Sequence, residues 1–328
     1  MPDLLTKCEV CGSLVDEEDL FCPNCGTEAP QSEGHDEARE DTSRLTTCNF
    51  QCQGCGASMS YDARSQGLRC PFCGSGDMQQ KGDEKSLAPR RVIPFRLDRE
   101  KAEATMRAWL GRGFWRPTKL ASEAAIVEMT PVYVPYWVFR AKTHTYWTAD
   151  TSSTPAGARG DWCPLSGEHR KEYSGLLIGA SGALTAGETA SIHPFDLSQG
   201  VPPEQVDLDN VTVERFSLQR KYARPIARQS IDHGVQQDVD QYYVSGKSRN
   251  IHTNVRVESM SSEPVLLPVW IMAYRFKDKL YRFLINGQSG KAAGQAPTSF
   301  AKVAMVAAAI GAGVLLLFII IGALAGGP

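Results

Sequence analysis

Histidine is scarce in this chain, and the little there is stands scattered. His35, His144, His169, His193, His233 and His252 form no pair at helical spacing, which excludes the two-histidine helix of a zinc hydrolase. A phosphate-binding loop is lacking too. The stretch "NGQSGKAAG" at 286–294 would need glycine at 285 and a hydroxyl at 292, where Ile285 and Ala292 stand. "GASGA" at 179–183 misses the spacing of a nucleophile elbow. The acidic pairs "DLD" at 207–209 and "DVD" at 238–240 have no visible partner and read as solvated loops. No catalytic constellation emerges, and the chain reads as a non-enzyme.

Net charge is nearly absent as well, at −2, but it is unevenly spread. Residues 1–45 hold twelve acidic and three basic side chains, whereas 81–120 hold five acidic and eleven basic. So acidic an opening is a poor grip for nucleic acid. "MPDLLTKCEV" has no basic segment followed by an apolar run, so no secretory leader is expected.

Cysteine, by contrast, is plentiful. Eight of the ten form four Cys-x-x-Cys pairs: Cys8 and Cys11, Cys22 and Cys25, Cys52 and Cys55, Cys70 and Cys73. Ten residues separate the first two pairs and fourteen the last two. Two such pairs on adjacent hairpins can set four thiolates tetrahedrally around one ion at about 2.3 Å, which suits Zn²⁺. A glycine follows the second cysteine of every pair (Gly12, Gly26, Gly56, Gly74), where it lets the chain turn tightly. "CPFC" at 70–73 also resembles a redox dithiol, but that chemistry needs a helix after the motif, and Gly-Ser-Gly follows instead. Two structural zinc sites are therefore expected, with Cys48 and Cys163 left unbonded. Closed four-cysteine sites stabilise a fold and leave no open coordination position. The two ribbons, at 1–28 and 47–80, read as separate modules joined by a flexible acidic linker at 29–46. Loss of Cys22 or Cys70 should then unfold one ribbon alone.

One apolar run stands out at 303–325, "VAMVAAAIGAGVLLLFIIIGALA", without a charged residue. At about 1.5 Å per residue it spans roughly 35 Å as a helix, enough to cross a bilayer. Arg275, Lys277, Lys279, Arg282, Lys291 and Lys302 precede it, which by the positive-inside bias places the body in the cytoplasm, as in a tail-anchored single-pass protein. Small residues (Ala307 with Gly311, Ala308 with Ala312) could support helix pairing; whether the chain forms homo-oligomers is left open.

Between the second ribbon and this run, at 81–297, the chain repeats itself. "PVYVPYW" at 131–137 matches "PVLLPVW" at 264–270 at four of seven positions. Each copy runs into an aromatic-rich segment, "VFRAKTHTYWT" and "IMAYRFKDKLYRFLI", read as strand pairs. Upstream of each lies a helical pattern. Asp98 can cap the first, with Ala102, Met106, Trp109 and Leu110 on one face. Ser217 can cap the second, which Pro225 should kink or restart. "NIHTNVRVESM" alternates as a half-buried strand, "KDK" at 277–279 fits a hairpin turn, and "NGQSGK" a later one. The fold class is thus α+β: two small four-cysteine zinc ribbons, a duplicated helix-plus-antiparallel-sheet region with halves near 90–150 and 210–297, and one C-terminal transmembrane helix.

With "YDARSQGLRCPFCG", the "VPYW" segment and "LPVWIMAYRFKDKLYRFLINGQSGK", residues 50 to 297 resemble a group of bacterial zinc-ribbon membrane proteins of unassigned function. Some relatives carry labels suggesting a primosomal helicase or a transcription-factor ribbon. The resemblance implies a bacterial inner-membrane location and the cysteines as metal ligands, and it transfers no catalytic residue. The expected function is a zinc-stabilised adaptor that binds protein partners at the membrane. The alternative is a membrane-tethered nucleic-acid binder that uses the second ribbon and the basic 81–120 segment.

Overall fold

A computed structural model of the chain describes residues 3–4, 6–12, 14–15, 22, 27, 48–61, 69–81, 87–157, 159–208, 211–277 and 279–325. The linker expected at 29–46 lies outside the described residues, as does Cys25. The short strands β1 (Asp3–Leu4), β2 (Thr6–Lys7) and β3 (Leu14–Val15) open the chain. β4 (Cys48–Cys52), β5 (Ser58–Tyr61) and β6 (Met78–Lys81) carry the second set of cysteines. Then come β7 (Arg91–Val92), α1 (Arg99–Leu110), α2 (Leu120–Glu123), β8 (Ala125–Thr151), β9 (Cys163–Gly179), α3 (Ala186–Ser191) and β10 (Thr212–Glu214). α4 (Arg220–Asp238), β11 (Ser248–Phe276), β12 (Lys279–Asn286), β13 (Ala292–Gly294) and α5 (Phe300–Ala325) complete it.

Two very long strands organise this mixed α+β fold. β8 and β11, of 27 and 29 residues, pair antiparallel along nearly their whole lengths. The repeated heptapeptides meet at the middle of that pairing. Val134 lies opposite Leu267, Pro131 opposite Trp270 and Trp137 opposite Pro264. Each end of one copy therefore faces the opposite end of the other, only the central pair joins equivalent residues, and a local pseudo-two-fold axis runs through that Val134–Leu267 pair. The outer edges obey the same symmetry. β10 runs parallel to β8 at Val132 and Tyr133, and β7 runs parallel to β11 at Val265 and Leu266. Beyond these short strands β9 takes over the edge of β8, and β12 the edge of β11.

The prolines fit because they stand where the edge partner changes. Pro135 and Pro268 lie between the short parallel strand and the long antiparallel one, and their carbonyls accept from Ala180 N (2.9 Å) and Gly287 N (2.8 Å). A residue's N–H and C=O point to the same side of a strand, so the missing proline donor falls in the gap and leaves no ladder bond unmade. The two tryptophans also have matching tasks. Trp137 Nε1 donates to Leu218 O (2.8 Å), just ahead of α4, and Trp270 Nε1 donates to Leu97 O (2.9 Å), just ahead of α1. Each indole thus pins the entry of one helix to the sheet, and its buried N–H finds the partner that burial demands.

Asp98 caps α1 as expected, its Oδ1 accepting from Lys101 N at 2.8 Å, and Ala102, Met106 and Leu110 are buried against Trp270, Met272 and Phe283. Asp98→Ala should remove this cap and destabilise the helix entry, measurable as a lowered midpoint of thermal unfolding. α4 departs from expectation. It begins after Gln219 with no side-chain cap, while Ser217 N donates to Ala180 O. Pro225 lies inside α4, which runs on to Asp238 without restarting. Ala223, Ala227, Ile231 and Val235 face Trp137, Phe139 and Val255, and this packing outweighs one missing backbone bond.

Two further expectations need correcting. "VFRAKTHTYWT" is no hairpin but the continuation of β8, and its partner strand is β9, beyond residue 150. The 47–80 region is not set apart either. Through β5, which pairs with β10, its strands β4, β5 and β6 extend the large sheet to order β13-β12-β11-β8-β10-β5-β4-β6. β11 and β12 pair up to Phe276 and Lys279, with Lys277 at positive φ and Asp278 outside the described residues, and the turn at 286–291 stands as read, with Gly290 at positive φ. Asn286 pins the later turn: its Oδ1 accepts from Gln288 N and Ser289 N, and its Nδ2 donates to Ile192 O and Pro194 O.

Candidate metal centre

Two cysteine clusters come together in space. Cys52 closes β4, the chain turns through Cys55, and β5 returns; Cys70 and Cys73 occupy the matching turn before β6. The four sulfurs lie within 4.8 Å of one another, with Cys52 Sγ to Cys73 Sγ at 3.5 Å and Cys55 Sγ to Cys70 Sγ at 3.6 Å. Sulfurs at about 2.3 Å from a tetrahedral ion stand roughly 3.8 Å apart, so the donor set and its spacing suit one such ion. The turns are alike. Gly56 N donates to Cys52 O (2.9 Å) and Gly74 N to Cys70 O (2.8 Å), with the glycines at φ +77° and +73°. That left-handed backbone is costly for any residue with a Cβ, which accounts for the glycine after each pair.

In the other cluster, Cys8, Cys11 and Cys22 also lie within 4.8 Å, with Cys11 Sγ to Cys22 Sγ at 3.5 Å. β2 and β3 pair beside it, and Gly12 N repeats the turn by donating to Cys8 O at 2.9 Å. Cys25, expected as the fourth ligand, falls outside the described residues. Cys163 is free and half-buried, away from both clusters.

The two clusters differ in depth. Cys52 and Cys70 are fully buried in the same apolar cluster as Met59, Phe72, Val132 and Tyr136, which reaches from the β4–β6 edge to the central strands of the large sheet. Cys8 and Cys22 share a small cluster of their own with Val15. Four thiols packed in apolar surroundings cannot all ionise unaided. A hydrogen bond from Cys70 lowers the Cys55 thiol to about 5, while the same bond pushes Cys70 up and burial pushes Cys73 up. A divalent cation would compensate the charge of thiolates gathered there.

Sequence reasoning missed Glu214. It sits on β10 opposite Met59, wholly buried. Its Oε1 accepts from Ser181 Oγ (2.7 Å), Gly182 N (2.9 Å) and Ala183 N (3.3 Å), while Oε2 has no protein partner. Burial pushes its carboxyl up to about 7, opposed by those three donors. In "NVTVERF" it looks like any polar member of an alternating strand; only the pairing of β10 with β5 encloses it. Asp238, read as a loop acid, instead ends α4, where it accepts from Lys171 Nζ (2.6 Å) and lies 3.4 Å from His169 Nε2.

A large sheet carrying one cysteine cluster in its core and a second beside it, followed by an uncovered apolar helix, defines the class of molecule. The chain is similar to the uncharacterized protein YdjG of Bacillus subtilis (strain 168), a distant relative 25% identical over an alignment of 336 positions that takes in 85% of this chain and 98% of that protein. No family model matches the chain, and no solved structure matches it.

Proposed function

We propose that the chain is a non-enzymatic, zinc-stabilised adaptor held to a membrane by α5, with its body on the cytoplasmic face and protein partners as its ligands. The observation that carries this reading is the placing of the Cys52, Cys55, Cys70 and Cys73 cluster within the main core, where a bound ion would tie the edge of the sheet to its centre. Zn²⁺ held by these four, and a second by Cys8, Cys11, Cys22 and Cys25, would supply cross-links and no open coordination position. The membrane half of the reading rests on α5, whose segment Phe300–Phe318 is long and apolar enough to cross a bilayer and has no buried residue.

Protein contact is favoured over nucleic acid by how the exposed cations are used. On the open face of β8, β9 and β11, Arg140 pairs with Glu263 (2.8 Å), Lys142 with Glu172 (3.8 Å) and Arg170 with Glu168 (4.0 Å). Cations already neutralised release few counterions from a phosphate backbone. The test is crosslinked capture from native membranes with the full-length chain, with Cys22→Ser and after nuclease. Partners that survive nuclease and are lost with Cys22→Ser are expected. Recovery that nuclease abolishes, and that falls steeply with salt, would replace the adaptor with the nucleic-acid reading.

A further inference from the structure

The segment "GRGFWRP" after α1 spends two aromatic side chains on water. Phe114 is 61% exposed and Trp115 48% exposed, and their rings touch only edge to face, with centroids 5.1 Å apart. The loop that carries them is not loose. The Arg116 guanidinium lies 3.5 Å over the Trp109 ring and donates to Trp109 O, which fixes the base of the loop on α1. Gly113, at φ +110°, makes the bend that turns the aromatic pair outward.

The loop is also tied to the start of α5. Ser299 N donates to Trp115 O at 2.7 Å, Lys302 Nζ donates to Arg116 O at 2.8 Å, and Lys302 Nζ lies 5.8 Å from the Phe114 ring. Phe114 and Trp115 thus stand level with the first turn of the apolar helix, where Phe300 is itself 87% exposed. In a chain anchored by α5, that level is the boundary between headgroups and acyl chains. Aromatic rings concentrate at this boundary, and lysine and arginine reach the headgroups beside them.

We propose that the loop 111–116 is a second membrane contact, which inserts Phe114 and Trp115 at the bilayer interface next to α5. It rests on the reading of α5 as a membrane span. Two contacts at one level, one through the helix and one through a loop fixed on α1, would hold the body against the bilayer at a set orientation. A single helix would leave it to swing.

Tryptophan fluorescence tests this directly. None of the six tryptophans lies in α5, and of the six only Trp115 is prominently exposed. The full-length protein and its Trp115→Phe variant would be reconstituted into phosphatidylcholine–phosphatidylglycerol vesicles whose lipids are brominated near the headgroup end of the chains. Quenching of the wild type is expected, with the greater part lost in Trp115→Phe. Equal quenching of the two, or none in either, while the chain still resists extraction by alkaline carbonate, would overturn the loop contact and leave the span intact. A chain that carbonate extracts would overturn both.

Discussion

Cys70→Ser is expected to destabilise the whole sheet, by more than about 4 kcal/mol, the range reached when a structural metal is lost. Cys70 is buried among Met59, Phe72, Val132 and Tyr136, and β5 is bonded to β10, which in turn lies against β8. Removing one ligand leaves three thiols facing one another in an apolar setting without the cation that would offset their charge. The disturbance reaches the centre of the sheet because no boundary separates the cluster from it. Cys22→Ser is the control. Among the described residues its cluster buries only Cys8, Val15 and Cys22, so the main unfolding transition should stay where it is, with one fewer metal ion bound per chain. Thermal unfolding with metal analysis, followed by hydrogen exchange along β8 and β11, distinguishes these outcomes. Exchange confined to 48–81 in Cys70→Ser would restore the picture of an independent ribbon.

The second large effect concerns pH. Glu214 has its carboxyl raised by burial from 4.5 to about 7. A carboxyl raised on folding stabilises most while the unfolded form is also protonated, below about 4.5. As pH climbs from there to about 7 the unfolded chain releases its proton more readily, and stability falls. At about 1.4 kcal/mol per unit the loss is on the order of 3 kcal/mol, complete above the folded value. Glu214→Gln keeps an oxygen for Ser181, Gly182 and Ala183 and removes the titration. The difference in stability between wild type and variant should therefore change by that amount between pH 4.5 and 7, measured by denaturant unfolding. Parallel pH profiles would show that Glu214 does not titrate in this window.

The two predictions draw on different parts of the sequence record. The cysteine pairs were legible because metal geometry imposes short, fixed spacings and a glycine after each turn. The repeated heptapeptide was legible because proline and tryptophan have specific duties there: the prolines fill a donor-free gap, and the tryptophans hold the helix entries. Local periodicity does not reveal which strand lies beside which, and there the reading failed. β8 was split into a hairpin because its later residues alternate like any half-buried strand, and nothing local marks the absence of a turn. The 47–80 strands looked independent because their attachment runs through a three-residue strand, β10, more than a hundred residues away in sequence. Glu214 was missed for the same reason, since its enclosure is a property of that attachment.

The pairing of β8 with β11 also fixes when this protein can finish folding. Thr151 meets Ser248 at one end and Ala125 meets Arg275 at the other, so every rung joins residues about a hundred or more apart. Contacts at such separation form late and slowly, because chain closure must come first. Until β11 has been synthesised, β8 waits with an unmatched edge. β12, the next strand on that edge, ends at Asn286, shortly before α5 begins at Phe300. The sheet and the apolar helix thus become available to the cell almost together, and the last rung of the body and the first turn of α5 leave synthesis only a few residues apart.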